Sequence, residues 1–341
     1  MLPYRVFTAA CAAALLTAGA ATAAPYPPVA DGPMKGWTTL TTTKVSKGAS
    51  IFRSAVADYA VVTRPDGGLS LSRINMAFPS PIPPAAWKVL TKAGSLSEPH
   101  CTTTPDATSS VKYYIFCLTL NATGKAQFTN IYSTSSADFT VVGTSTALDG
   151  MALTSAPVFM APTTKATAGY PYVFQFTAGA ISMSGQLSAR NMKINQALYG
   201  ATTDGSGAWA DLATTFKGVP GCTADSQLCA GVTADNRVAL FHYSGASGNN
   251  TPFMFGASPV VAAGLSGEVA AVTLTATKYV IVARGKDGQL YEIVYDNNSF
   301  SPWKAEGGAV MPLTQPSCLP SAAGASCVVQ GADGYLYAKA M

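Results

Sequence analysis

Few residue types in this chain could carry out covalent chemistry. The two histidines, His100 and His242, are far apart, and neither is accompanied by a Ser or Cys nucleophile motif, so each reads as a core or strand-surface histidine rather than a general base. Paired carboxylates would serve a glycosidase. However, Asp66, Asp235, Asp287 and Asp333 each sit in a turn signal, leaving Glu98, Asp138, Asp149, Asp211, Glu268, Glu292 and Glu306 scattered along the sequence. No Gly-rich loop opens a helix, as a phosphate cradle requires, and no acidic cluster suggests calcium. No catalytic residue, cofactor or metal ligand is assigned on these grounds.

The aromatics are more regular. Trp37, Trp87, Trp209 and Trp303, with Tyr291 and Tyr337, recur beside turn signals, and Arg64 and Arg284 stand next to two of the turns. A sugar offers an apolar face and a rim of hydroxyls, so aromatic platforms flanked by such polar side chains would hold it. Several weak sites would then add through effective concentration. Packing between repeated units is the competing role for the tryptophans.

What must position these residues is a repeat. The stretch "GKDGQLYEIVYDNNSFSPWKAEGG" begins at Gly285, and "GADGYLY" starts the same pattern again at Gly331. Its turn signal recurs at Asp66, Thr123, Ala178, Asp235, Asp287 and Asp333, at intervals of 57, 55, 57, 52 and 46 residues. A β-branched or apolar run precedes each turn and an alternating run follows it, which predicts a hairpin, because these turn residues tolerate positive φ. After most hairpins comes an aromatic strand, as in "WKVL" and "WADL". Units of about four strands, repeated at roughly 45–55 residues, predict an all-β, six-bladed β-propeller. The tract between Phe139 and Trp209 leaves room for a seventh blade. The chain stops just after the third strand of its last unit, so "GWTTL" at Trp37 is expected to supply the missing outer strand and close the ring.

Arg5 followed by an Ala-rich apolar run and "ATAAPYPP" predicts a signal peptide over residues 1–24, cleaved near Ala23 or Ala24. The propeller would then occupy 25–341. No later apolar run is long enough to span a bilayer, and a net charge of +4 with 11% charged residues lacks the concentrated basic face that nucleic acid requires. The expected location is secreted or periplasmic.

With Cys11 set aside in the expected leader, six of the seven cysteines remain, and an even count in an exported chain reads as disulfide-bonded. Cys101 and Cys117, Cys222 and Cys229, and Cys318 and Cys327 form three close pairs, and local bridges between neighbouring strands are the economical pairing. Zinc is disfavoured, because these spacings do not match C-x2-C.

The stretch "VIVARGKDGQLYEIVYDNNSFSPWKAEGG" followed by "PSC" resembles the repeat of bacterial PLL-type lectins and the wider group of fucose-binding-lectin-like propellers. The likeness is good from Tyr279 to Tyr337, fair around Asp66 and Asp235, and poor between them. It implies the propeller fold and a carbohydrate-binding role with an arginine, an acidic residue and an aromatic in each site, a trio this chain does not visibly repeat. The expected function is thus a non-catalytic, multivalent, lectin-like propeller whose partners are glycans or cell-surface carbohydrate. A polysaccharide-acting hydrolase or lyase and an extracellular protein-interaction scaffold are the alternatives.

Overall fold

The computed structural model describes residues 32, 34–54, 57–77, 79–92, 94–105, 113–133, 138–148, 151–160, 164–165, 173–195, 203–204, 209–223, 228–242, 253–322 and 324–341. The expected leader, residues 1–24, lies outside them. The described residues form six antiparallel sheets, numbered here as blades 1 to 6 in chain order.

The innermost strands are Lys47–Arg53, His100–Pro105, Val158–Phe159, Gly221–Cys222, Leu265–Thr275 and Ser317–Ser321. Each pairs with a second strand, the second with a third, and the third with an outer strand. Blade 6 obtains its outer strand from the other end of the chain: Thr38 pairs with Ala338 and Thr39 with Tyr337. The ring therefore closes on "GWTTL" as expected.

Between the second and third strands each blade makes the same three-residue loop. In blade 1 the Arg64 N–H donates to Gly68 O and the Gly67 N–H to Arg64 O; in blade 5 the Gly285 N–H donates to Gln289 O and the Gly288 N–H to Gly285 O. This is a type I turn followed by one left-handed residue. That residue is Gly67, Gly124, Gly185, Asn236, Gly288 or Gly334, with φ from 64° to 90°.

In blade 3 the turn spans Ser182 to Gln186, not Ala178 as the spacing suggested. Ala178 lies within the strand Val173–Ile181. The glycine beside it is there for packing: a Cβ on Gly179 would lie 2.0 Å from the Met160 sulfur. The Phe139-to-Trp209 tract holds strands of blades 2 and 3 among the described residues, and no seventh blade.

The connector between blades clips two neighbours together. The Ser95 N–H donates to Gly67 O of blade 1 while the Leu96 N–H donates to Leu120 O of blade 2. Val310 and Met311 do the same to Gly288 and Gln330, and Val45 and Ser46 to Gly334 and Thr63. Facing sheets bury apolar side chains between them, for example Val280, Val282 and Leu290 of blade 5 with Val329 and Tyr337 of blade 6. The disulfides Cys101–Cys117, Cys222–Cys229 and Cys318–Cys327 join residues directly opposite on the first and second strands, stapling blades 2, 4 and 6.

Candidate functional site

The four tryptophans occupy one register. Each stands just ahead of its blade's outer strand and contributes to the core shared with the preceding blade: Trp37 between blades 6 and 5, Trp87 between 1 and 6, Trp209 between 3 and 2, and Trp303 between 5 and 4. Trp37 is 0% exposed and Trp209 9%, so their faces are covered by protein, whereas Trp87 and Trp303 are half-buried. The Trp303 indole N–H donates to Pro259 O at 2.8 Å.

Tyr291 and Tyr337 are tied to their own turns. Their hydroxyls donate to Asp287 at 2.7 Å and to Asp333 at 2.6 Å. The bond to Asp287, with burial adding to it, pushes the Tyr291 hydroxyl up to about 12. Each ring lies over the first residue of the turn, where a Cβ on Gly285 or Gly331 would come within 2.6 or 2.7 Å of it. Where that glycine is replaced by Arg64, Ser70 stands in the tyrosine's place, and Arg64 pairs with Asp66 at 2.9 Å. Arg284 is buried, with its Nε donating to Val310 O at 3.1 Å. Trp37, Tyr337 and Arg284 thus converge on the seam between blades 5 and 6, while Trp87, Trp209, Trp303 and Arg64 belong to other seams.

That seam also holds charged residues which looked scattered in the sequence. At one position of the third strand, blades 1, 2, 3, 4 and 6 bury an apolar side chain: Leu71, Phe128, Ala189, Leu240 and Ala338. Blade 5 has Glu292 there. Beside it Glu306, whose side chain is 2% exposed, binds Lys304 at 2.7 Å and Lys339 of blade 6 at 2.8 Å. The Lys339 ammonium lies 5.6 Å from the centroid of the Trp37 ring, within cation–π range. Glu292 Oε2 and Trp37 Nε1 are buried without a hydrogen-bond partner. The lysine side chains reach outward, 66% exposed at Lys304 and 24% at Lys339, so a buried carboxylate holds two donors at the rim of the ring.

Burial pushes the Glu292 carboxyl up, and the neighbouring Glu306 adds to this. Burial acts the same way on Glu306, but its hydrogen bonds from Lys304 and Lys339 outweigh it and hold that carboxyl below the usual range. The linkage signs are therefore opposite. Glu306 contributes stability that is present above the unfolded carboxyl value and lost as pH falls through its folded value. Glu292 favours the fold only while protonated, and that contribution is lost as pH rises through its raised value. Glu306→Gln is expected to lower the unfolding midpoint at neutral pH and Glu292→Gln to raise it, both differences fading in acid. Thermal unfolding of the two variants across pH 3–8 checks the signs, and equal effects in acid and at neutrality would refute the assignment.

A closed ring of six four-stranded sheets, with a polar seam at its rim, defines a six-bladed β-propeller. No family model matches the chain, and no curated protein matches it by sequence. Among solved structures, the Aleuria aurantia lectin in complex with α-methyl-L-fucoside superposes with a TM-score of 0.56 at 13% identity, over 88% of this chain and 92% of that one. Another structure of that fucose-specific lectin gives 0.57 at 14% identity, with the same coverage. A mutant of AofleA from Arthrobotrys oligospora gives 0.53 at 10% identity, over 89% of this chain and 84% of that one. Identities this low show a shared fold.

Proposed function

We propose that the chain is an exported, lectin-like propeller that binds carbohydrate without turning it over. The observation that carries the reading is the seam between blades 5 and 6. There Lys304 and Lys339 offer ammonium donors at the rim, both bound from beneath by the buried Glu306, and Lys339 also lies over the Trp37 ring. Donors held in this way suit the hydroxyls of a sugar. The fold is shared with a lectin solved with a bound fucoside, which favours a sugar over other polar ligands. The half-buried Trp87, Trp303 and Tyr291, with Arg64, are the residues through which other seams would add further sites and make binding multivalent.

Three disulfides support an oxidising, extracytoplasmic compartment, and no helix among the described residues is long and apolar enough to cross a membrane.

The test uses protein recovered outside the inner membrane with its leader removed, applied to an array of neutral and acidic glycans. Saturable binding to a defined glycan is expected, without turnover, and Lys339→Met should weaken it about tenfold or more, the worth of one charge-assisted hydrogen bond. Binding that is indifferent to Lys339→Met would move the site elsewhere on the ring. Silence across the array would favour a protein-interaction scaffold.

A further inference from the structure

The six inner strands surround an axial channel of about 410 Å³. A chain of polar contacts crosses one end of it. Glu98, in the connector from blade 1 to blade 2, accepts the Gln315 backbone N–H of blade 6 at 2.9 Å. To get there it passes over blade 1 at Gly48, where a Cβ would lie 3.0 Å from its Oε2. The Gln315 side-chain amide continues the chain, donating to Val269 O of blade 5 and to Val219 O, just ahead of the inner strand of blade 4.

This crossing leaves acceptors without donors. Both Gln315 bonds are made by its nitrogen, which fixes the orientation of the amide, and its Oε1 is buried with no hydrogen-bond partner. The residue as a whole is 9% exposed. His100 Nε2 is also buried and unpartnered, and lies 3.6 Å from Glu98 Oε1, too far for a direct hydrogen bond. Gln315 Oε1 is an acceptor outright and His100 Nε2 is one when the ring carries its proton on Nδ1, and buried acceptors left unpaired are costly unless something donates to them. Away from this end, Ser50, Thr102, Thr223, Thr273 and Ser317 place hydroxyl-bearing residues along a lining that also includes Ile51 and Phe159. At the far end the Arg53 guanidinium is engaged by Asp58 and Pro320 O.

We propose that the channel is a binding site for a hydroxylated primary amine of the amino-sugar type, with its ammonium received by Gln315 Oε1, Glu98 Oε1 and His100 Nε2. Three acceptors, one of them anionic, match the three N–H donors of an ammonium group. A divalent metal fits less well, since one carboxylate, one imidazole and one neutral amide fall short of the ligand set that metal sites use. The hydroxyl-lined wall suits the rest of such a molecule. The site is separate from the rim seam and stands or falls independently of it.

The test titrates the full chain near neutral pH with glucosamine, N-acetylglucosamine and glucose, by calorimetry and by NMR of the imidazole signals. The chain has only two histidines, so the signals report position. Saturable binding of glucosamine alone is expected, shifting His100 and not His242. Glu98→Gln should weaken it roughly tenfold or more through loss of the charge-assisted bond, with a thermal melt confirming that the variant is folded. No saturation by glucosamine, equal binding of the acetylated or neutral sugar, or a shift confined to His242 would each overturn the proposal. The NMR arm uses the unmodified chain and does not depend on the variant folding.

Discussion

Reducing all three disulfides is expected to remove roughly 7–8 kcal/mol of stability, taking each bridge at its chain-entropy worth. Domains of this kind hold only about 5–15 kcal/mol in total, so the reduced chain should sit close to unfolding at ambient temperature. The sequence separations are 16 residues for Cys101–Cys117, 9 for Cys318–Cys327 and 7 for Cys222–Cys229, and loop entropy grows slowly with length. Paired Cys→Ala variants should therefore each lose about 2–3 kcal/mol, ordered with the blade 2 bridge largest and the blade 4 bridge smallest. Because the bridges lie in alternate blades with no shared partners, their losses should add. Denaturant unfolding with and without reductant measures the total, and the three double variants measure the order. A total no larger than one bridge's share would mean that the sheets hold their first strands without help. The energetic weight falls on the innermost strands, which in blades 3 and 4 are only two residues long, Val158–Phe159 and Gly221–Cys222. In blade 4 such a strand has little ladder of its own to hold it, and the bridge to Cys229 supplies what hydrogen bonding cannot.

The ring itself was legible because everything that makes a blade is local. Each turn fixes two adjacent strands, each cysteine pair joins residues opposite one another, and the tryptophan ahead of the outer strand falls at one place in the four blades that carry one. Even ring closure, which joins residues some three hundred positions apart, could be inferred, since a unit lacking its last strand matched a surplus strand at the start. The Ala178 turn misled because small residues around a glycine look the same whether they bend the chain or admit Met160. The polar sites were harder to see because they form between units. Glu292 and Glu306 share a blade with Lys304, but their meaning depends on Lys339 from the next one. Glu98 meets Gln315 only because the connectors of blades 1 and 5 converge on the axis. One signal was nonetheless present: in the aligned repeats Glu292 replaces Leu71, Phe128, Ala189, Leu240 and Ala338. A charge at a position otherwise kept apolar sets that seam apart from the others.

Trp37→Ala is expected to cost about 3–5 kcal/mol, the range for truncating a fully buried tryptophan, and its consequences should reach beyond the cavity it leaves. Trp37 sits at the start of the strand that closes the ring and is 0% exposed. Behind it the Leu40 N–H donates to Leu336 O, the Leu336 N–H donates to Thr41 Oγ1 and the Val45 N–H donates to Gly334 O. Its ring also lies under Lys339, the cation bound by Glu306, so removing it loosens the closure and the charged seam together. If the closing strand frays, Leu336–Ala340 becomes an unpaired edge, open to pairing with another chain. Trp37→Ala should therefore be sensitive to proteolysis ahead of Thr41 and should self-associate as it unfolds. Trp87→Ala is the informative comparison. It occupies the equivalent place in blade 1 but is half-buried, and the strand after it, Lys88–Val89, continues the local chain instead of joining its two ends. Its loss should be smaller, with no new cleavage near the N-terminus. Equal losses and equal cleavage in the two variants would show that the terminal strand is held no differently from any other outer strand, and that closure adds nothing beyond the burial of one aromatic ring.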